Sequence, residues 1–165
     1  MELRSGLTLI TVPQPILRHK AKAITTVSAD IRILAEQMMV AMHEFKGVGL
    51  AAPQINHSIR LIVVTDGKDG AIPMINPEIT FSSKEKMVSE EGCLSVPEVF
   101  GTVKRSAKIR YKYTDLNGKK VIGKAKNFEA IVIQHEVDHL NGILFIDKAE
   151  SIIEGRKKLD TLLSI

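Results

Sequence analysis

The sequence predicts an α+β fold in which mostly antiparallel sheets pack around one central, buried helix. Short alternating or β-branched segments follow one another with hairpin turns between them, as in residues 106–125. Helical periodicity is confined to a few segments. The run over residues 128–140 is apolar at Phe128, Ala130, Ile131, Val132, Ile133, Val137 and Leu140, more of the circumference than a surface helix shows. With 165 residues, 44% of them hydrophobic and 25% charged, a single domain (1–165) is expected to hold a core without cross-links.

Taken in order, residues 7–12 form a short apolar segment closed by Pro13 and Pro15, extended or at a sheet edge. Ser28 caps a helix with Asp30 in its first turn, where a negative charge suits the helix dipole. Ile31, Leu34, Met38, Met42 and Phe45 recur at helical spacing, and Gly47 stops the helix. Such a methionine-rich stripe reads as core filler. Residues 60–65 are a β-branched strand, with a turn at 66–70. Pro73 and Pro77 restrict residues 72–79 to an edge or irregular strand. In 106–114, Ile109, Tyr111 and Tyr113 share one face and Lys108, Arg110 and Lys112 the other. Asp115-Leu116-Asn117-Gly118 turns that strand back through 119–125. Asn127 caps the central helix, and Gly142 takes the left-handed turn that ends it. Residues 149–164 read as a final amphipathic helix, weakened in its middle by Gly155.

Composition excludes several classes. One cysteine rules out a disulfide framework and fits a reducing compartment. The net charge of +4 comes from dispersed cations, aromatics make up 4% and tryptophan is absent, so no sequence-specific nucleic-acid reader is expected. Docking on a polyanionic assembly stays open. No apolar run reaches membrane-spanning length, and the first residues do not follow a leader pattern, so a cytoplasmic, non-membrane protein is expected.

The chemistry concentrates in Gln134-His135-Glu136-Val137-Asp138-His139. Histidines four apart leave the same helix face one turn apart, so both imidazoles can reach one metal ion while Glu136 handles protons. Two core histidines satisfied by neighbours is the plainer reading, but burying two imidazoles and a carboxylate without a metal is costly. A catalytic centre needs a third protein ligand. The position where a third histidine would follow six residues later holds Phe145, leaving Glu150, Glu154 or the sole cysteine, Cys93, in Glu91-Gly92-Cys93-Leu94-Ser95. Its glycine-preceded turn puts Cys93 modestly ahead of the glutamates. Asp138 reads either as an acceptor for a ligand imidazole or as a solvated surface group.

With Gly47-Val48-Gly49-Leu50-Ala51-Ala52-Pro53-Gln54, these two segments resemble the three signature motifs of peptide deformylases, and the similarity runs along nearly the whole chain. The resemblance implies hydrolysis of the N-formyl group from the N-terminal formyl-methionine of newly made polypeptides, releasing formate. It implies Cys93, His135 and His139 as ligands of one divalent ion, Fe(II) in the cell, with Zn(II), Ni(II) or Co(II) as substitutes. Metal-bound water would attack the formyl carbon, with Glu136 as general base and acid and the Leu94 N–H and Gln54 amide facing the oxyanion. Gly49 is the candidate wall admitting only the small formyl group, and Ile131, Val132 and Phe128 are the candidate methionine pocket. A monomer is expected, with the basic C-terminal helix as a possible ribosome contact. Departures from the family pattern at Glu129, Phe100 and Gly101 bear on peptide contacts. Two rival readings are a zinc endopeptidase of the same histidine motif and an inactive, metal-stapled binding protein.

Overall fold

The computed structural model describes residues 4–164. Helix α1 (Ala29–Glu44) starts where expected, with the Ser28 Oγ accepting from the Ile31 N–H at 3.3 Å. Strands β1 (Gly49–Ala51), β2 (Leu61–Thr65), β3 (Ala71–Ser82), β6 (Lys108–Thr114) and β7 (Lys120–Lys126) form a five-stranded antiparallel sheet in the order β1-β2-β3-β6-β7. Strands β4 (Lys86–Cys93), β5 (Val96–Ser106) and β8 (Ala149–Glu154) form a three-stranded antiparallel sheet, β4-β5-β8. Helix α2 (Asn127–Leu140) is the central helix, followed by the short α3 (Phe145–Lys148) and by α4 (Arg156–Leu163). The α+β architecture with antiparallel sheets is as the sequence predicts. Among the described residues no helix is long and apolar enough to cross a membrane.

The larger sheet is covered on both faces, which is why β2 is buried from Leu61 to Val64 without alternating in polarity. Leu61 and Val63 face α1 through Leu34, Met38 and Met42. Ile62 and Val64 face α2, joined there by Met74, Ile109, Tyr111, Ile133 and Val137. A third cluster (Val12, Leu17, Val96, Val103, Phe145 and Leu159) ties the N-terminal segment and α4 to the smaller sheet. The helix that carries the histidines is thereby held from several sides.

Three local expectations change. The strand bearing Pro73 and Pro77 is central, not an edge. It pairs with β2 over Ala71–Ile75 and with β6 from Ile75 onward, so Pro73 has a ladder partner on one side only and Pro77 falls in a bulge. Asn127 does not cap α2. It is the first helical residue, with φ +57°, and its N–H donates to the Ala107 carbonyl at 2.8 Å. Residues 149–164 are not one helix, because Ala149–Glu154 pairs with β5 and the helix begins only at Arg156. Gly155 separates them at φ +83°, packed so closely on the Glu98 carbonyl that a side chain cannot fit. The β4–β5 hairpin had no counterpart in the sequence reading. Gly142 does end α2 in the left-handed region, at φ +72°, against the backbone of Arg18.

Candidate active site and metal centre

His135 and His139 emerge one turn apart on α2, their ring centroids 5.1 Å apart. The end of β4 brings Cys93 to them from the smaller sheet. One donor atom from each of the three lies within 4.8 Å of the others, and the Cys93 Sγ is 3.3 Å from the His139 Nε2. Around a tetrahedral zinc-like ion, sulfur and nitrogen donors stand about 3.3–3.6 Å from one another. One soft sulfur and two imidazoles at this separation fit a divalent transition-metal ion. Burial holds the His139 imidazole well below the ordinary histidine range, so it is neutral, as a ligand must be. Burial alone would lower His135 as well, but the Cys93 and Glu91 side chains bonded to it raise it to about 10. Positive charge is favoured at the point where a cation fits. Neither alternative ligand is near: Glu150 pairs with Lys104 at 3.1 Å, and Glu154 lies exposed at the end of β8.

Glu136 is buried beside the histidines, and its Oε2 has no hydrogen-bond partner. Burial, reinforced by the charges of Glu91 and Asp138 and opposed by those of His135 and Arg105, raises its carboxyl to about 7. Gly49 lies directly against this carboxylate. A Cβ at Gly49 would stand 2.5 Å from the Glu136 Oε1 and 2.8 Å from its Cγ. Gly49→Ala is therefore expected to displace Glu136 and to lower kcat/KM by at least about 100-fold, the scale of a lost general base. Unchanged steady-state kinetics in that variant would remove the packing argument.

Gln54 is buried on the 3-10 turn after β1. Its Oε1 accepts from the Ala51 N–H at 2.9 Å, and its Nε2 donates to the Ser95 Oγ at 3.1 Å and lies 3.6 Å from the Cys93 Sγ. The Ser95 hydroxyl in turn donates to the Ile10 carbonyl at 2.7 Å. A cavity of about 510 Å³ opens over the centre, lined by Gly49, Gln54, Leu94 and Glu136 and by all three methionine-pocket candidates, Phe128, Ile131 and Val132. Phe100 also lines it, packed over Gly92. Each site residue expected from the sequence stands at this cavity or among the three clustered donors.

The sequence reading missed Glu91 and Arg105. Glu91 accepts from the His135 Nδ1–H at 2.8 Å and from the Arg105 Nε–H and a terminal N–H at 2.7 and 2.9 Å. Burial by itself would push its carboxyl up, but the bonds from His135 and Arg105 hold it at about 2. A carboxylate fixed in this way leaves the His135 Nε2 for a metal. Asp138 is not the imidazole's acceptor: it takes an Arg105 N–H at 2.9 Å and pairs with Lys148. The available signal was spacing, since Glu91 sits two residues before Cys93, the interval at which strand side chains return to one face.

A sulfur–imidazole–imidazole cluster beside a buried carboxylate, at the base of a cavity in an α+β fold, is the arrangement expected of a metal-dependent hydrolase. Comparison with known proteins gives the particular family. The family model described as "Polypeptide deformylase" matches residues 7–154, and the chain belongs to that family. The peptide deformylase of Mesorhizobium japonicum is 42% identical over 160 residues, covering 92% of this chain and 91% of its own. That of Desulfotalea psychrophila is 44% identical over 151 residues, covering 88% and 89%. The crystal structure of peptide deformylase from Thermotoga maritima superposes with a TM-score of 0.85 at 40% identity, over 88% of this chain and 98% of that one. The chain is accordingly an enzyme, a hydrolase of protein biosynthesis that removes N-formyl groups.

Proposed function

We propose that the chain hydrolyses the formyl amide at the N-terminal methionine of newly made polypeptides through the centre formed by Cys93, His135, His139 and Glu136. The observation that carries this reading is the convergence of the three donors within 4.8 Å, next to a buried carboxylate. A divalent cation held there, Fe(II) by the family resemblance, would supply Lewis-acid polarisation and make water acidic enough to lose a proton near neutral pH.

The protein's own groups do the rest. The unpartnered Glu136 Oε2 accepts the proton from the attacking water and returns it to the departing amine nitrogen. The Gln54 amide donates to Ser95 and, more weakly at 3.6 Å, to the Cys93 Sγ; with a metal on that sulfur, the second N–H would turn, together with the Leu94 backbone N–H, to the developing oxyanion. Glu91 keeps the His135 ring in one tautomer. Gly49, pressed on Glu136, lets that carboxylate stand at the cavity wall where the formyl group would enter, and Phe128, Ile131 and Val132 offer the methionine side chain an apolar wall.

Formate release from formyl-Met-Ala, with acetyl-Met-Ala and an internal peptide left intact, is the expected result. Cleavage of the internal peptide without formate release would transfer the chain to the endopeptidase reading. Cys93→Ser replaces a soft thiolate by a poor ligand, so metal content by elemental analysis should fall at least about tenfold and turnover with it. Stoichiometric metal and full activity in that variant would reduce Cys93 to packing.

A further inference from the structure

The β6–β7 hairpin turns one face to α2 and the other to solvent. The inner face carries Ile109, Tyr111 and Ala125. The outer face carries Lys108, Arg110 and Lys112 on β6 and Lys120, Lys124 and Lys126 on β7, all exposed. Cations dispersed along the sequence are thus gathered by strand alternation into one patch. The register sets Lys108 directly opposite Lys126, and Arg110 directly opposite Lys124. Like charges in directly opposed positions destabilise a sheet. Lys112 alone meets an acid, Glu78 at 3.5 Å, and both groups are more than half exposed. Of the chain's 23 Lys and Arg, these six account for its positive balance, because without them the 19 Asp and Glu would be in excess. A solvated sheet face gains by mixing signs across strands, and this one does the reverse.

We propose that the outer face of the β6–β7 hairpin is a docking surface for the phosphate backbone of RNA. The outward cations form two rows, Lys108, Arg110 and Lys112 on β6 at about 6.7 Å between neighbours, and Lys120, Lys124 and Lys126 on β7 with a gap at Ile122. Such rows match a chain of phosphates and release its counterions on contact. The face reads no bases: it holds no aromatic side chain of its own, and the bordering Phe81 ring lies under the Arg110 guanidinium at 5.4 Å. A lipid surface fits less well, because Ile122 is the one apolar side chain among the lysines and membrane attachment draws on inserted apolar area. None of these residues lines the active-site cavity, so a docked protein keeps its substrate entrance free. The choice of RNA over other polyanions rests on the deformylase reading, which puts the enzyme among newly made chains; the charge argument does not.

The test is fluorescence anisotropy with a labelled RNA duplex of arbitrary sequence, run over a salt series with the full chain. Lys124→Glu together with Lys126→Glu replaces one member of each opposed pair, turning repulsion into attraction. Affinity should fall at least about tenfold, and the slope of log K against log salt should shrink by about two. Melting temperature should hold or rise, and formate release from formyl-Met-Ala should be unchanged, which separates loss of docking from loss of fold or of catalysis. Any of three results overturns the proposal: equal RNA binding by wild type and variant, binding lost only when Arg156, Lys157 and Lys158 on α4 are changed to Ala, or wild-type binding to phosphatidylserine vesicles but not to RNA.

Discussion

Glu136→Gln should keep the fold and the metal while kcat for formate release drops by about 100- to 10,000-fold, the range of a general acid–base group. The amide nearly matches the carboxylate in shape, so the contact with Gly49 persists and nothing collapses into the site. What disappears is the ability to accept a proton at the buried, unpartnered Oε2. Burial already makes the charged carboxylate costly, as its rise to about 7 records, and the neutral amide avoids that cost. The melting temperature should therefore stay level or increase. Turnover within a factor of a few of wild type, with metal content equal, would end the proton-transfer role.

The second large effect falls on stability. Arg105 is 3% exposed and is bonded to two carboxylates, Glu91 and Asp138. Arg105→Leu takes the guanidinium from the buried Glu91 and leaves it the His135 N–H, while Asp138 keeps Lys148, and removing one partner of a buried ion pair costs about 3–5 kcal/mol. For a chain of this length that is on the order of 10 °C in Tm. Glu91 then loses the partner that, with His135, holds its carboxyl near 2, and the imidazole it orients becomes free to turn. Metal affinity should weaken by roughly 10- to 100-fold, as for other groups behind a ligand. Thermal melting and metal titration of the variant check both parts. A melting temperature within about 2 °C of wild type would mean the two carboxylates find other partners or water.

The same pair explains what the sequence left unread. Helices α1 and α2 and the β6–β7 hairpin were legible because their apolar residues keep a clean period. Strands β4 and β5 were not, since Glu91 and Arg105 occupy inward positions where a strand pattern demands apolar residues. A buried ion pair across two strands looks, in one dimension, like two solvated charges. Residues 149–164 misled for a different reason. Ile152, Ile153, Leu159 and Leu162 satisfy helical spacing, and only the closeness of Gly155 to the Glu98 carbonyl, a contact made by folding, forces the chain to change direction there. In the site, His135, Glu136 and His139 could be placed because their spacing on one helix is local. Cys93 could be ranked ahead of the glutamates but not positioned, since its approach depends on a hairpin that was not seen.

That hairpin has a consequence for how the molecule comes together. Two of the three donors travel with α2, while the third arrives from a separate sheet 46 residues earlier in the chain. A cation caught between them would act as a clasp, closing a long loop that the denatured chain must otherwise explore. Its hold would be strong only after the sheets dock, so the ion would reward the finished architecture and not its fragments.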